Sequence, residues 1–108
     1  MTQAELKTHL KSLGFPVAYS HFETSENTPP PKPPYITYMF SSSDDFIADN
    51  INYHSISNFT VELYTSLKEP ITEELLENKL KELQFPYTKM ESWVESDKLF
   101  QIAYEIQI

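Results

Sequence analysis

Leu6, Leu10 and Leu13 recur at helical spacing behind a Thr2–Glu5 capping box, and Gly14 and Pro16 close the segment. Residues 3–13 are therefore expected to form a short amphipathic helix. From Val17 to Phe22 the pattern shortens to period two, with Val17, Tyr19 and His21 alternating against Ala18, Ser20 and Phe22. Tyr35 to Ser41 alternates in the same way, placing Ile36, Tyr38 and Phe40 on one face, and so does Ile56 to Thr65, where Phe59, Val61 and Leu63 point inward. Between them, residues 42–55 break the alternation with Asp44, Asp45, Asp49, Asn50 and Asn52 set among Phe46, Ile47, Ile51 and Tyr53. Residues 35–65 thus read as a long hairpin with an oversized, projecting tip.

Pro70 punctuates the chain, and Thr72 is expected to cap a second helix with Glu73 and Glu74 in its first turn. Leu76, Leu80 and Leu83 form its apolar stripe, and Phe85-Pro86 ends it. A second hairpin follows, Tyr87–Val94 and Leu99–Ile108 across residues 95–98. Its clearest period-two run is Phe100, Ile102, Tyr104, Ile106 and Ile108. The order is α-β-β-β-α-β-β. The expected architecture is a single α+β domain over residues 1–108, with a mostly antiparallel sheet of about five strands and both helices packed on one face. Its core should contain Phe59, Val61, Leu63, Ile102 and Ile106 beneath Leu10 and Leu80. Residues 23–34, ending in Pro29-Pro30-Pro31-Lys32-Pro33-Pro34, form an extended connector to the hairpin. One internal echo stands out. Leu10-Lys11-Ser12-Leu13-Gly14-Phe15-Pro16 parallels Leu80-Lys81-Glu82-Leu83-Gln84-Phe85-Pro86, which suggests two uses of one helix-to-strand turn.

Composition narrows the chemistry. Seven Phe, seven Tyr and one Trp in 108 residues supply one apolar core. Sixteen acidic against eight basic residues leave a formal charge of −8, which repels phosphate backbones and anionic lipid. No apolar run reaches membrane-spanning length, and the first residues lack a signal-peptide pattern, so the expected place of folding is a cytoplasm. With no cysteine there is neither a disulfide framework nor a thiolate metal site. Gly14 is the sole glycine, which excludes phosphate loops, dinucleotide fingerprints and nucleophile elbows, all of which need several. His9, His21 and His54 are too scattered for a paired-histidine metal motif. No cofactor is expected.

The remaining constellations point to contact surfaces. Glu62 and Glu105 lie mid-strand on outward sides, with Glu91 expected nearby. Paired carboxylates can do acid–base work in a low-dielectric cleft, but no insertion covers that face, so a solvated or interface-facing acidic surface is the better reading. No catalytic residue is assigned. The Asp44–Asn52 cluster lacks the glycine and the bidentate glutamate of a calcium loop. Its apolar residues among charges instead suggest a partner surface. Trp93, Tyr87 and Tyr104 read as core or subunit-contact aromatics.

Four ordered blocks add a resemblance. Pro33-Pro34-Tyr35-Ile36-Thr37-Tyr38, Phe46-Ile47-Ala48-Asp49-Asn50-Ile51-Asn52-Tyr53, Val61-Glu62-Leu63-Tyr64-Thr65 with Lys68-Glu69-Pro70, and Glu95-Ser96-Asp97-Lys98-Leu99 with Tyr104-Glu105 span nearly the whole chain. This ordered set resembles the tail-terminator and tail-completion (head–tail joining) proteins of long-tailed phages and prophages of Gram-positive bacteria. Ile47 stands where a glycine is expected. The resemblance implies a virion structural protein, not an enzyme. It would assemble with itself as a hexameric ring, cap the tail-tube protein and dock to the head connector protein. It would be made in the host bacterial cytoplasm and end in the virion at the head–tail interface, with DNA passing through the ring and no sequence-specific nucleic-acid contact. The residues it assigns to assembly are Asp44, Asp45, Phe46, Ile47, Asp49, Asn50, Ile51 and Tyr53. A different head–tail connector component or a small protein-binding adaptor would share this shape. A small-molecule-binding α+β domain would instead require a deep pocket with converging polar groups.

Overall fold

In the computed structural model, the chain is described over residues 1–48 and 52–108, with the backbone alone described at 45–48 and 52–55. Helix α1 (Gln3–Lys11) begins as its sequence dictates: the Glu5 N–H donates to Thr2 Oγ1 at 3.1 Å, and the Thr2 N–H donates back to Glu5 Oε1 at 3.2 Å. Helix α2 (Pro70–Glu82) begins two residues earlier than the expected Thr72 cap. Proline's fixed φ suits the first helical turn and its missing N–H costs nothing there, so Pro70 outcompetes Thr72. The Thr72 hydroxyl donates instead to Glu69 Oε1 at 2.9 Å.

Both helices leave through the echoed sequence by the same device. Gly14 and Gln84, the matched fifth positions of the two segments, have φ of +92° and +62°. A left-handed residue reverses the chain after a helix, and Phe15 and Phe85 then fold back against the core. The two segments diverge beyond the turn. β1 (Val17–Tyr19) pairs parallel with β2 (Tyr35–Ala48), whereas β4 (Thr88–Val94) pairs antiparallel with β5 (Leu99–Gln107). The likeness therefore ends with the turn.

β2 also pairs antiparallel with β3 (Asn52–Thr65), and β3 with β5, giving one five-stranded sheet in the order β1-β2-β3-β5-β4. The register aligns Ile36, Leu63 and Ile102 in one row, and Tyr38, Val61 and Tyr104 in the next. Leu6 and Leu10 of α1 and Leu76 and Leu80 of α2 join these rows, with Phe59 and Ile106, in one buried cluster. All seven expected core residues are in it. Among the described residues the sole parallel pairing is β1 with β2, entered through the connector, whose Pro33–Pro34 peptide is cis.

The two long strands outrun the sheet. β5 accompanies β3 only to Asn58↔Gln107, and β1 leaves β2 at Tyr38. Past those points β2 and β3 pair with each other, from Ser43↔Ser57 to Ala48↔Asn52, with one further backbone bond from the Ile108 N–H to the Ser57 carbonyl at 3.0 Å. At about 3.4 Å per residue the ribbon extends some 20 Å beyond the sheet. The chain's radius of gyration is 15.5 Å, against about 13 Å for a compact domain of this length. The expected break in strand structure at residues 42–55 is corrected: the described residues there continue the ladder to Ala48 and resume it at Asn52. Side-chain alternation is not required for backbone pairing, so aspartates and asparagines in a solvated ribbon can hide a strand from a hydropathy pattern.

Candidate assembly surface

The arm begins at a β-bulge. Phe40 faces Phe59, but the next pair is Ser42↔Asn58, leaving Ser41 as the extra residue. The bulge shifts every later residue of β2 by one position and marks where the sheet ends and the ribbon starts. Its polar groups are used locally: Ser41 Oγ donates to the Asn58 carbonyl at 3.0 Å, and Asn58 Nδ2 donates to Ser42 Oγ at 3.0 Å and Asp44 Oδ2 at 2.8 Å. Asp44 thus braces the arm's base. The backbone register places Asp45, Phe46, Ile47 and Tyr53 on the arm, opposite Ser55, His54, Tyr53 and Ile47. Asp49, Asn50 and Ile51 lie outside the described residues.

At the arm's root, pattern reading missed an apolar ring. Phe40 stacks edge-on against Phe59 with centroids 6.0 Å apart yet stays 44% exposed, because β1, the strand on its open side, ends opposite Tyr38. Its amide donates to Tyr19 Oη at 3.2 Å, and Tyr19 and Met39 are also exposed. The alternation sets Phe40 on one face with Ile36 and Tyr38 and carries no sign that it is exposed. Only the length of the neighbouring strand shows that. A second exposed set lies outside the leucine stripe of α2: Leu67, Ile71 (77% exposed) and Leu75 recur every fourth residue. That spacing is legible in the sequence as a second stripe.

The carboxylates separate into two unconnected groups. Glu62 accepts from Tyr64 Oη at 2.5 Å and from Gln101 Nε2 on the sheet face opposite the core cluster. Burial, then Glu62, pushes the Tyr64 phenol up. Glu105 lies on that same face, opposite Thr60. Glu91 does not join them. It sits opposite Ile102, on the core side of β4, ion-paired to Lys68.

That side holds a dense ionic clamp. Glu73, 3% exposed at its side chain, lies 2.6 Å from Lys68 and 2.9 Å from Lys89, and Lys89 also meets Glu77 at 2.8 Å. Tyr104 donates to Glu77 at 2.7 Å and Tyr87 at 3.3 Å. Burial alone would raise the Glu73 and Glu77 carboxyls. Lys68 and Lys89 at Glu73, and Lys89 with Tyr104 at Glu77, outweigh it and hold both below the usual range. Glu77 and Glu73 in turn raise Lys89. Each charge in the clamp faces an opposite one, which suits fastening α2 to β4.

Three open hollows are found among the described residues: one of about 510 Å³ between the proline connector (Pro30, Pro31, Pro33), Ser66 and the 97–99 turn, one of about 200 Å³ where the connector crosses Tyr35, Thr37 and Tyr64, and one of about 290 Å³ beside Asn58, Tyr87 and Glu105. Among the described residues no group of three or more His, Asp or Glu side chains is placed to hold a metal ion, and no helix is long and apolar enough to cross a membrane. No protein-family model matches the chain, and no curated protein matches its sequence.

Proposed function

We propose that this chain is a virion assembly protein of a long-tailed phage, which caps the finished tail tube as a ring of subunits, six in number, and joins it to the head connector. The single observation that carries this reading is the arm: a bare ribbon about 20 Å long that bears Asp44, Asp45, Phe46, Ile47 and Tyr53 and is rooted in exposed Tyr19, Met39 and Phe40. A ribbon of this kind adds little to its own domain's core, and projecting hairpins with apolar roots suit insertion between neighbouring subunits. The ordered sequence blocks support the same reading. The acidic balance of the chain fits a ring through which DNA must slide without being gripped. In this account the protein has no catalytic duty, and its clamp and its Glu62 network hold the fold.

The test replaces Asp44–Ile56 with an Asn-Gly turn between the paired Ser43 and Ser57, a geometry two-residue hairpins favour. In a phage genome carrying the gene, the shortened protein should fold, while electron micrographs show tails that fail to join heads. Normal particles would reject the proposal.

A further inference from the structure

The two edges of the sheet are guarded differently. β1 is three residues long and ends at Ser20, whose φ of +66° turns the chain away. β4 is a seven-residue edge with no proline and no bulge. Natural edges are usually blunted by such features or by free charges, above all lysine. Here both charges of β4, Lys89 and Glu91, are balanced by partners in the clamp beneath α2 while 37% and 42% of their side chains stay exposed. Met90 on one face (51% exposed) and Trp93 on the other (46% exposed) flank this edge with apolar surface.

The order of residues along the edge names its occupant. Around Met90 the sequence Tyr87-Thr88-Lys89-Met90-Glu91-Ser92-Trp93 is chemically palindromic. Aromatic mirrors aromatic, small hydroxyl mirrors small hydroxyl, and cation mirrors anion. We infer that β4 pairs antiparallel with β4 of a second copy of this chain, about a two-fold axis through Met90, joining two sheets into one of ten strands. In that register Lys89 faces the second copy's Glu91 on one side of the sheet and Thr88 faces its Ser92 on the other. Tyr87 meets Trp93 at either end, and the two Met90 side chains meet on the axis. Directly opposed residues share a face in antiparallel pairing, so each match is a side-chain contact. Lys89 and Glu91, 37% and 42% exposed, keep surface free for this. Moving the axis to Glu91 or Lys89 would set like charges against each other, which fixes the register. The contact is isologous and closed. It uses the edge strand and not the arm, so it stands or falls apart from the assembly proposal.

The absence of cysteine makes the register directly testable. Opposed Cα atoms in such a pair lie about 5 Å apart, within disulfide reach, whereas residues 92 of the two copies would be about 14 Å apart. Under mild oxidation Met90→Cys should give a covalent dimer. Thr88→Cys and Ser92→Cys should not when alone, but should cross-link to each other when mixed. Met90→Asp, which brings two carboxylates onto the axis, should sediment as a monomer with unchanged circular dichroism at concentrations where the parent is dimeric. No cross-link at residue 90, equal cross-linking of all three single variants, or a parent that stays monomeric at every concentration would overturn the inference.

Discussion

The body of the sheet and the arm are built from the same two strands. In the body, Val61 of β3 lies between Tyr38 and Tyr104 and is fully buried, with the leucines of both helices in the same cluster. Beyond Asn58 the described part of β3 keeps β2 as its only ladder partner. One strand therefore serves two physical regimes. Where five strands and two helices meet, apolar burial supplies the stability. Where two strands run alone the ladder is marginal by itself. The described part of the arm adds no residue to the buried cluster, so its length calls for another reason, and assembly is the one proposed.

The largest effect that sharpens this contrast is in the body. Ile102→Ala or Leu80→Ala should each lower stability by about 2–5 kcal/mol, because both side chains are fully buried and would leave a cavity. Denaturant titration measures this, and parent-like melting of either variant would contradict the register given above. Next comes the clamp. Glu73→Gln should cost about 1–3 kcal/mol, since it removes the buried charge shared by Lys68 and Lys89 while Glu91 and Glu77 remain as their partners.

The same carboxyls set an acid limit. Glu73 and Glu77 sit below their ordinary value of 4.5 in the folded protein, so their contribution is complete above about pH 4.5 and is lost as the pH falls through the lower folded values. Stability measured from pH 6 downward should therefore be level until about 4.5 and then decline. The parent and the arm-shortened protein should fall together, because the clamp lies wholly in the body. The smallest effect is that of shortening itself: replacing Asp44–Ile56 by Asn-Gly should change stability by no more than about 1 kcal/mol.

The body was far more legible in the sequence than the arm. Leucines at helical spacing, the Thr2–Glu5 box and period-two runs through 59–63 and 102–106 are local signals, and burial obeys them. Three features escaped because they depend on partners and not on pattern. The alternation of Val17–Tyr19 cannot say that β1 pairs parallel with β2. Phe40 belongs to the same run as Ile36 and Tyr38 and is exposed because β1 ends before reaching it. Glu91 is expected near Glu62 and Glu105, but the β4–β5 register sets it opposite Ile102, on the other face. Of the residues expected to serve assembly, Asp44 is placed in full, bracing Asn58, and the backbone sets Asp45, Phe46, Ile47 and Tyr53 along the ribbon.

The most direct measurement of the central claim combines stability and assembly in one protein. The chain with Asp44–Ile56 replaced by Asn-Gly is melted by circular dichroism and, in parallel, supplied to a phage genome lacking the intact gene. The account predicts a melting curve close to the parent's together with unjoined heads and tails. A well-folded, arm-less protein that restores normal numbers of joined particles would contradict it.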